Sequence, residues 1–223
     1  MFIPLPSRRK PSLRWATPAL FALLWLAFLW AKTRHGAMQD DLLREWGALT
    51  GMAGVLDGHA ALRLVTALFL HADWAHLLGN LVFLLIFGLP AEQAMGPWRF
   101  LLLFLFGGAA SNLAAALAIP APDNVIIGAS GAVSAVIGAY LALFPTAKLG
   151  VVLPLGLFLE FVKAPASLLI GIWALLQVVF AYIGPAFGAV AWSAHIAGFL
   201  FGVVFALFVR AAIARRMRKR MGY

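Results

Sequence analysis

The chain predicts an all-α polytopic membrane protein: six transmembrane helices, with a long outer loop between the first and the second. Three observations carry this. Of 223 residues, 64% are hydrophobic and 11% charged, less than half the charged share of about 25% usual in soluble domains. Long runs lack any Asp, Glu, Lys or Arg. The 17 Lys and Arg residues are also spread unevenly between the two sides that those runs define.

Charge-free runs cover residues 15–31, 74–91, 100–122, 124–147 and 164–209. A bilayer core about 30 Å thick takes roughly 20 helical residues. The last run is too long for one helix and is broken at Gly184-Pro185, a strong turn signal, which predicts helices over 166–183 and 189–209. The apolar stretch 149–159 contains Pro154 and is too short to span, so it is expected to lie along the interface. With six spans, 13 of the 17 Lys and Arg fall on one side: Arg8, Arg9, Lys10, Arg14, Arg99, Lys148, Lys163, Arg210, Arg215, Arg216, Arg218, Lys219 and Arg220. Lys32, Arg34, Arg44 and Arg63 fall opposite, in a 32–73 segment rich in Asp and Glu. The positive-inside rule puts both termini in the cytoplasm, with basic tails over 1–14 and 211–223 flanking a membrane domain over 15–210. The C-terminal Arg/Lys cluster reads as an anchor at anionic lipid, and the net charge of +9 is no sign of nucleic-acid binding.

The first run resembles a secretory signal, but Lys32-Thr33-Arg34-His35 stands where a small-residue cleavage site belongs, and it is read as a retained span. Within 32–73, Leu42, Leu43, Trp46 and Leu49 recur at helical spacing, which predicts an amphipathic helix on the outer leaflet.

Polar side chains inside a bilayer are costly and default to functional readings. Here they are His76 and Asn80 in the second span, Ser111 and Asn112 in the third, Ser130 and Ser134 in the fourth, Gln177 in the fifth and His195 in the sixth. Each alone has a plainer reading: a serine bonded to its own helix, or a buried polar group joining helices. Depth argues for more. Ser130 lies 15 residues before Pro145, His195 lies 15 before Arg210, and His76 lies 14 before Pro90. At 1.5 Å per residue all three sit about 21–22 Å above the cytoplasmic boundary. Asn80 follows one turn below His76. Residues 120–129 read as irregular backbone, so the fourth helix should begin near Ser130, short of a full span. Such backbone at membrane depth needs a watery cavity or burial in protein, and the helix start leaves N–H groups free to hold a negative charge. Gly131, Ala135 and Gly138 in the fourth span and Gly198 and Gly202 in the sixth allow the close approach that would bring Ser130 to His195.

Other chemistries lack their residues. With no cysteine there is no disulfide, thiolate metal site or cysteine nucleophile. No His-Glu-x-x-His occurs, no span interior holds an aspartate pair, and no half-repeat or charge relay suggests a transporter. No cofactor or metal is expected. His71, Asp73, His59 and His35 are read as outer-surface residues; His71 and His76, five apart, are expected on different helix faces.

Three motifs in order, Ala-His76-x-x-x-Asn80, Gly128-Ala129-Ser130-Gly131 and Ala194-His195-x-x-Gly198-x-x-x-Gly202, make residues 60–210 resemble the rhomboid family of intramembrane serine proteases, as do Arg63 to His71 and Glu92-x-x-x-Gly96-x-x-Arg99-Phe100. The resemblance implies Ser130 as nucleophile and His195 as general base and then acid, with the Ser130 N–H, His76 and Asn80 as the oxyanion site. It implies single-pass or other transmembrane protein substrates cleaved in or beside their helices, and entry between the second and fifth spans with the 184–191 cap as part of the gate. A bacterial inner-membrane location is expected. A catalytically inactive relative that escorts membrane clients is the alternative. Two positions depart from the family pattern: Leu62 precedes Arg63 where many relatives have Trp, and Ser134 stands where some members place an aromatic ring against the catalytic histidine.

Overall fold

The computed structural model describes residues 14–34, 36–119, 124–155, 158–183 and 191–221. The N-terminal tail up to residue 13, His35 and residues 184–190 of the expected cap lie outside the described residues. The chain is predominantly helical. Helix α1 (Ala16–Lys32) is followed by α2 (Ala37–Trp46), α3 (Gly51–Leu56) and α4 (Ala60–Thr66) with a 3₁₀ turn at Ala67–Phe69. Helices α5 (Trp74–Phe83) and α6 (Leu89–Met95) are joined by a π-helical stretch, Leu84–Gly88, into one rod. Pro90 has no N–H to close a turn, and the wider stretch before it carries the rod on without a break. Then come α7 (Pro97–Ala118), α8 (Ser130–Leu143), α9 (Ala166–Ile183) and α10 (Trp192–Met221).

Among the described residues, four helices are long and apolar enough to cross a bilayer: Trp74–Met95, Pro97–Ala118, Ala166–Ile183 and Trp192–Arg216. Two further expected spans are shorter apolar helices, α1 with 17 residues and α8 with 14. The start of α8 falls at Ser130, because Gly128 has φ +113°, a left-handed conformation that cannot continue a helix and that favours glycine.

Helix α8 is the centre of the bundle: every residue from Gly131 to Tyr140 is buried. Its neighbour α10 comes close enough for backbone to touch backbone. A Cβ on Gly198 would collide with the Gly131 carbonyl, one on Gly202 with the Ala135 carbonyl, and one on Gly138 with the Phe199 carbonyl. Small residues one turn apart thus form a seam on both helices, as dispersion-driven packing in lipid requires. At the opposite end, Glu92 is 1% exposed and caps a different helix. Its Oε1 accepts from the Trp15 and Ala16 N–H groups and its Oε2 from Thr17 N–H, all at 2.9 Å. The first-turn N–H groups of α1 have no partners within their own helix, and an anion suits that end of the dipole.

Several expectations need correction. The chain is not wholly α-helical, since β1 (Ala48–Leu49) pairs antiparallel with β2 (Val125–Ile126), and β3 (Lys148–Leu155) with β4 (Phe158–Pro165). The second pair replaces the single interfacial segment expected at 149–159: Pro154 interrupts any helix there, and Val151, Val152, Phe161 and Val162 favour strand. The described part of the 32–73 segment holds α2, β1, α3, α4 and the 3₁₀ turn, and the amphipathic helix expected within it is α2, which buries Leu42. Thr66 Oγ1 donates to the Trp46 carbonyl at 2.6 Å, and Arg63 Nε to the Glu45 carbonyl at 3.0 Å, while Arg63 pairs with Asp57 at 2.7 Å. Leu62 is exposed, so Arg63 and Thr66 tie this segment together without an aromatic ring at 62. The sixth helix, expected over 189–209, runs from Trp192 to Met221.

Candidate active site

The site assembles where α8 begins. Gly128 N–H donates to the Ala67 carbonyl at 2.8 Å, and Ala129 N–H donates to His71 Nε2 at 3.4 Å. These two bonds fix the turn that delivers Ser130, which is half-buried at the head of the helix. The next turn sends Ser134 Oγ back to the Ser130 carbonyl at 2.7 Å.

Across the glycine seam stands His195, one turn into α10. Its Nε2 lies 2.9 Å from Ser130 Oγ. Ser111 Oγ donates to the Ala194 carbonyl at 2.8 Å and so pins the backbone just before His195 to α7. The other ring nitrogen, Nδ1, lies 2.7 Å from Gln177 Oε1 on α9. The edge of Trp192 meets the imidazole at 90° with centroids 5.8 Å apart, and Phe180 stacks on Trp192 at 4.9 Å. With Ser134 turned to its own helix, the aromatic support for His195 therefore comes from α10 itself.

The third wall is α5. Asp73 caps it by accepting from His76 N–H at 2.8 Å. The His76 ring lies under the turn before Ser130: a Cβ at position 128 would stand 2.5 Å from His76 Nε2. Asn80, 7% exposed, presents a buried Nδ2 with no hydrogen-bond partner among the described residues. A buried amide donor left open costs free energy, and this one lies one turn along the helix from His76, as a donor held for an incoming acceptor would.

Ser130, His195 and His76 thus come together as their matching depths suggest, with Asn80 beside His76. Asn112 does not join them; its Nδ2 donates to the Leu64 carbonyl at 2.9 Å and secures the outer segment. His71 is not an outer-surface residue as expected. It is 1% exposed and precedes α5, so the five-residue spacing does not turn it away from His76; the rings meet edge to face at 5.0 Å. Burial first, and the His76 ring second, push its pKa down to about 3, which keeps its nitrogen free to accept from Ala129. Asp73 and His59 are exposed as expected. Sequence reasoning also missed the Gln177 contact with His195 and the role of Trp192. The available signal was a lone amide in an otherwise apolar fifth span.

A hydroxyl bonded to an imidazole, with an open amide donor and a helix start beside them, stands inside the bundle of a polytopic helical membrane protein. The family follows from comparison. Residues 58–212 match the Rhomboid domain model, most of the chain, and this protein belongs to the rhomboid family of multi-pass integral membrane proteins. It is 46% identical over 71 residues to Rhomboid-like protein 11, chloroplastic, of Arabidopsis thaliana (32% of this chain, 25% of that protein). It is 33% identical over 131 residues to the Bacillus subtilis (strain 168) protein named "Putative rhomboid protease YdcA" (55% and 58%). With RHOMBOID-like protein 6, mitochondrial, of Arabidopsis thaliana it shares 35% over 103 residues (46% and 33%). The chain thus aligns with between a quarter and three fifths of the length of these relatives.

Proposed function

We propose that this protein is an intramembrane serine endopeptidase that hydrolyses peptide bonds in or next to transmembrane segments of other membrane proteins. The observation that carries the reading is the 2.9 Å contact between Ser130 Oγ and His195 Nε2 inside a rhomboid-family bundle. In this reading His195 Nε2 accepts the Ser130 proton as Oγ attacks the scissile carbonyl carbon. The carbonyl oxygen becomes an oxyanion, held by the Ser130 N–H, His76 and Asn80. His195 then passes its proton to the leaving amine as the C–N bond breaks. Water adds to the acyl-serine by the same route in reverse, with His195 again as base and then acid. The substrate class, single-pass or other transmembrane proteins, is the family's, and the reading sets the protein in a bacterial inner membrane. Six spans are read from the apolar runs, and the charge asymmetry sets both termini in the cytoplasm.

Cleavage of a single-pass reporter in liposomes tests the reading. Ser130→Ala and His195→Ala are each expected to abolish cleavage, and Ser130→Ala to abolish labelling by a serine-directed fluorophosphonate. Asn80→Ala or His76→Ala should lower kcat by about 10²–10³, the usual worth of one oxyanion donor. Full cleavage by the Ser130→Ala protein would remove the nucleophile assignment. Client capture without cleavage or labelling by the unsubstituted protein would mark it as an escort of membrane proteins instead.

A further inference from the structure

Helix α9 is apolar almost throughout, with Ile172, Leu175, Leu176, Val178 and Val179 exposed on its outer face. The residues it buries are Ala166, Ile170 and Gln177. An amide on a membrane helix is costly to bury, and its two ends must find partners. Gln177 Nε2 is directed to the Trp173 carbonyl of its own helix at 3.4 Å, which turns Oε1 towards His195 Nδ1, 2.7 Å away. An amide oxygen has no proton to give. The hydrogen in this contact therefore belongs to Nδ1, and a neutral imidazole with its proton on Nδ1 carries its lone pair on Nε2. That lone pair faces Ser130 Oγ.

We infer that Gln177 is the positioning residue for His195: it accepts the Nδ1–H bond, holds the ring in the tautomer whose Nε2 is free to take the Ser130 proton, and so extends the Ser–His pair to a third, uncharged member. The inference rests on the reading of His195 as the general base. Because the third member is neutral, it contributes orientation and tautomer rather than the charge that a carboxylate would supply to an imidazolium. Trp192 supports the ring at its edge, which limits tilt but does not choose between the nitrogens. Helix α9 thereby takes part in the catalytic geometry through a single hydrogen bond, although most of its side chains are exposed and apolar.

Three readouts on the full-length protein in detergent or liposomes test this, with the single-pass reporter as substrate. Gln177→Leu keeps the volume and removes the acceptor; kcat is expected to fall by about 10–100-fold, by analogy with the loss when the group orienting a metal-bound histidine is removed, with KM and the thermal midpoint held. Gln177→Glu keeps an acceptor at the same distance and should recover most of that loss. In ¹⁵N-histidine-labelled protein, the ring signals that vanish in His195→Ala should report a proton on Nδ1, and Gln177→Leu should move that proton towards Nε2. A merely structural amide would lower the thermal midpoint without moving the tautomer. Wild-type kcat in Gln177→Leu, no recovery by Gln177→Glu, or an Nε2–H ring in the unsubstituted protein would each overturn the inference. The last needs no substitution at Gln177, only the His195→Ala spectrum that identifies the ring. If His195→Ala itself cleaved the reporter, the underlying base assignment would fall instead, so the two failures are separable.

Discussion

His71 shows how one buried ring can matter without reacting. It accepts the Ala129 N–H that sets the turn before Ser130, and only the neutral ring can do so. Its folded pKa of about 3 lies below the ordinary value near 6.5, so the folded state refuses a proton that the unfolded chain accepts. The stability it supports is intact above pH 6.5 and is lost as pH falls from there towards 3. At pH 5 the loss is about 2 kcal/mol for this one site. Thermal midpoints between pH 7 and pH 5 should fall more steeply for the natural protein than for His71→Gln, whose side-chain oxygen reaches the place of Nε2 and can accept from Ala129 at either pH. Equal slopes would place the acid sensitivity elsewhere. Nothing near His71 in sequence announces its burial, because its partner is 58 residues away.

Helices here are held at their ends as much as along their flanks. The first span has no polar cap of its own: no side chain at its N-cap, Trp15, bonds to the helix. The Glu92 carboxylate, on the rod formed by α5 and α6, supplies three acceptor contacts at that end. Glu92→Ala strips those donors of their partner in a buried place, and a loss of about 2–4 kcal/mol is expected. The thermal midpoint should drop, and protease nicking near residues 15–17 should rise. Fluorophosphonate labelling at Ser130 should persist below the new midpoint, since α1 is remote from the α8–α10 seam. The seam itself is legible in the chain as glycines one turn apart in two apolar runs. The Glu92 cap is legible only as a motif, since its contacts cross more than 70 residues.

The full assembly has to satisfy a bilayer. Helix α10 has 30 residues, about 45 Å at 1.5 Å per residue, against a hydrocarbon core of about 30 Å. The overhang of roughly 15 Å carries Arg215, Arg216 and Arg218 at its C-terminal end, consistent with a cytoplasmic end at anionic lipid. The chain has no cysteine, so single introduced cysteines report topology cleanly. His59→Cys is expected to react with an impermeant maleimide from the periplasmic side of intact cells, and Arg218→Cys only after permeabilisation. The reverse pattern would invert the orientation.

The apolar runs, the start of the fourth helix and the matching heights of Ser130, His195 and His76 could all be read along the chain. Hydropathy and charge are local properties, and helical rise converts residue counts into heights. Partners across the bundle had to wait for the fold: Gln177 beneath His195, Ala129 on His71, Glu92 on the head of α1, and the pairing of β3 with β4. Each joins groups whose meeting depends on how helices rotate and cross. That is set by close packing of side chains from distant stretches, and one residue's spacing to the next carries no record of it.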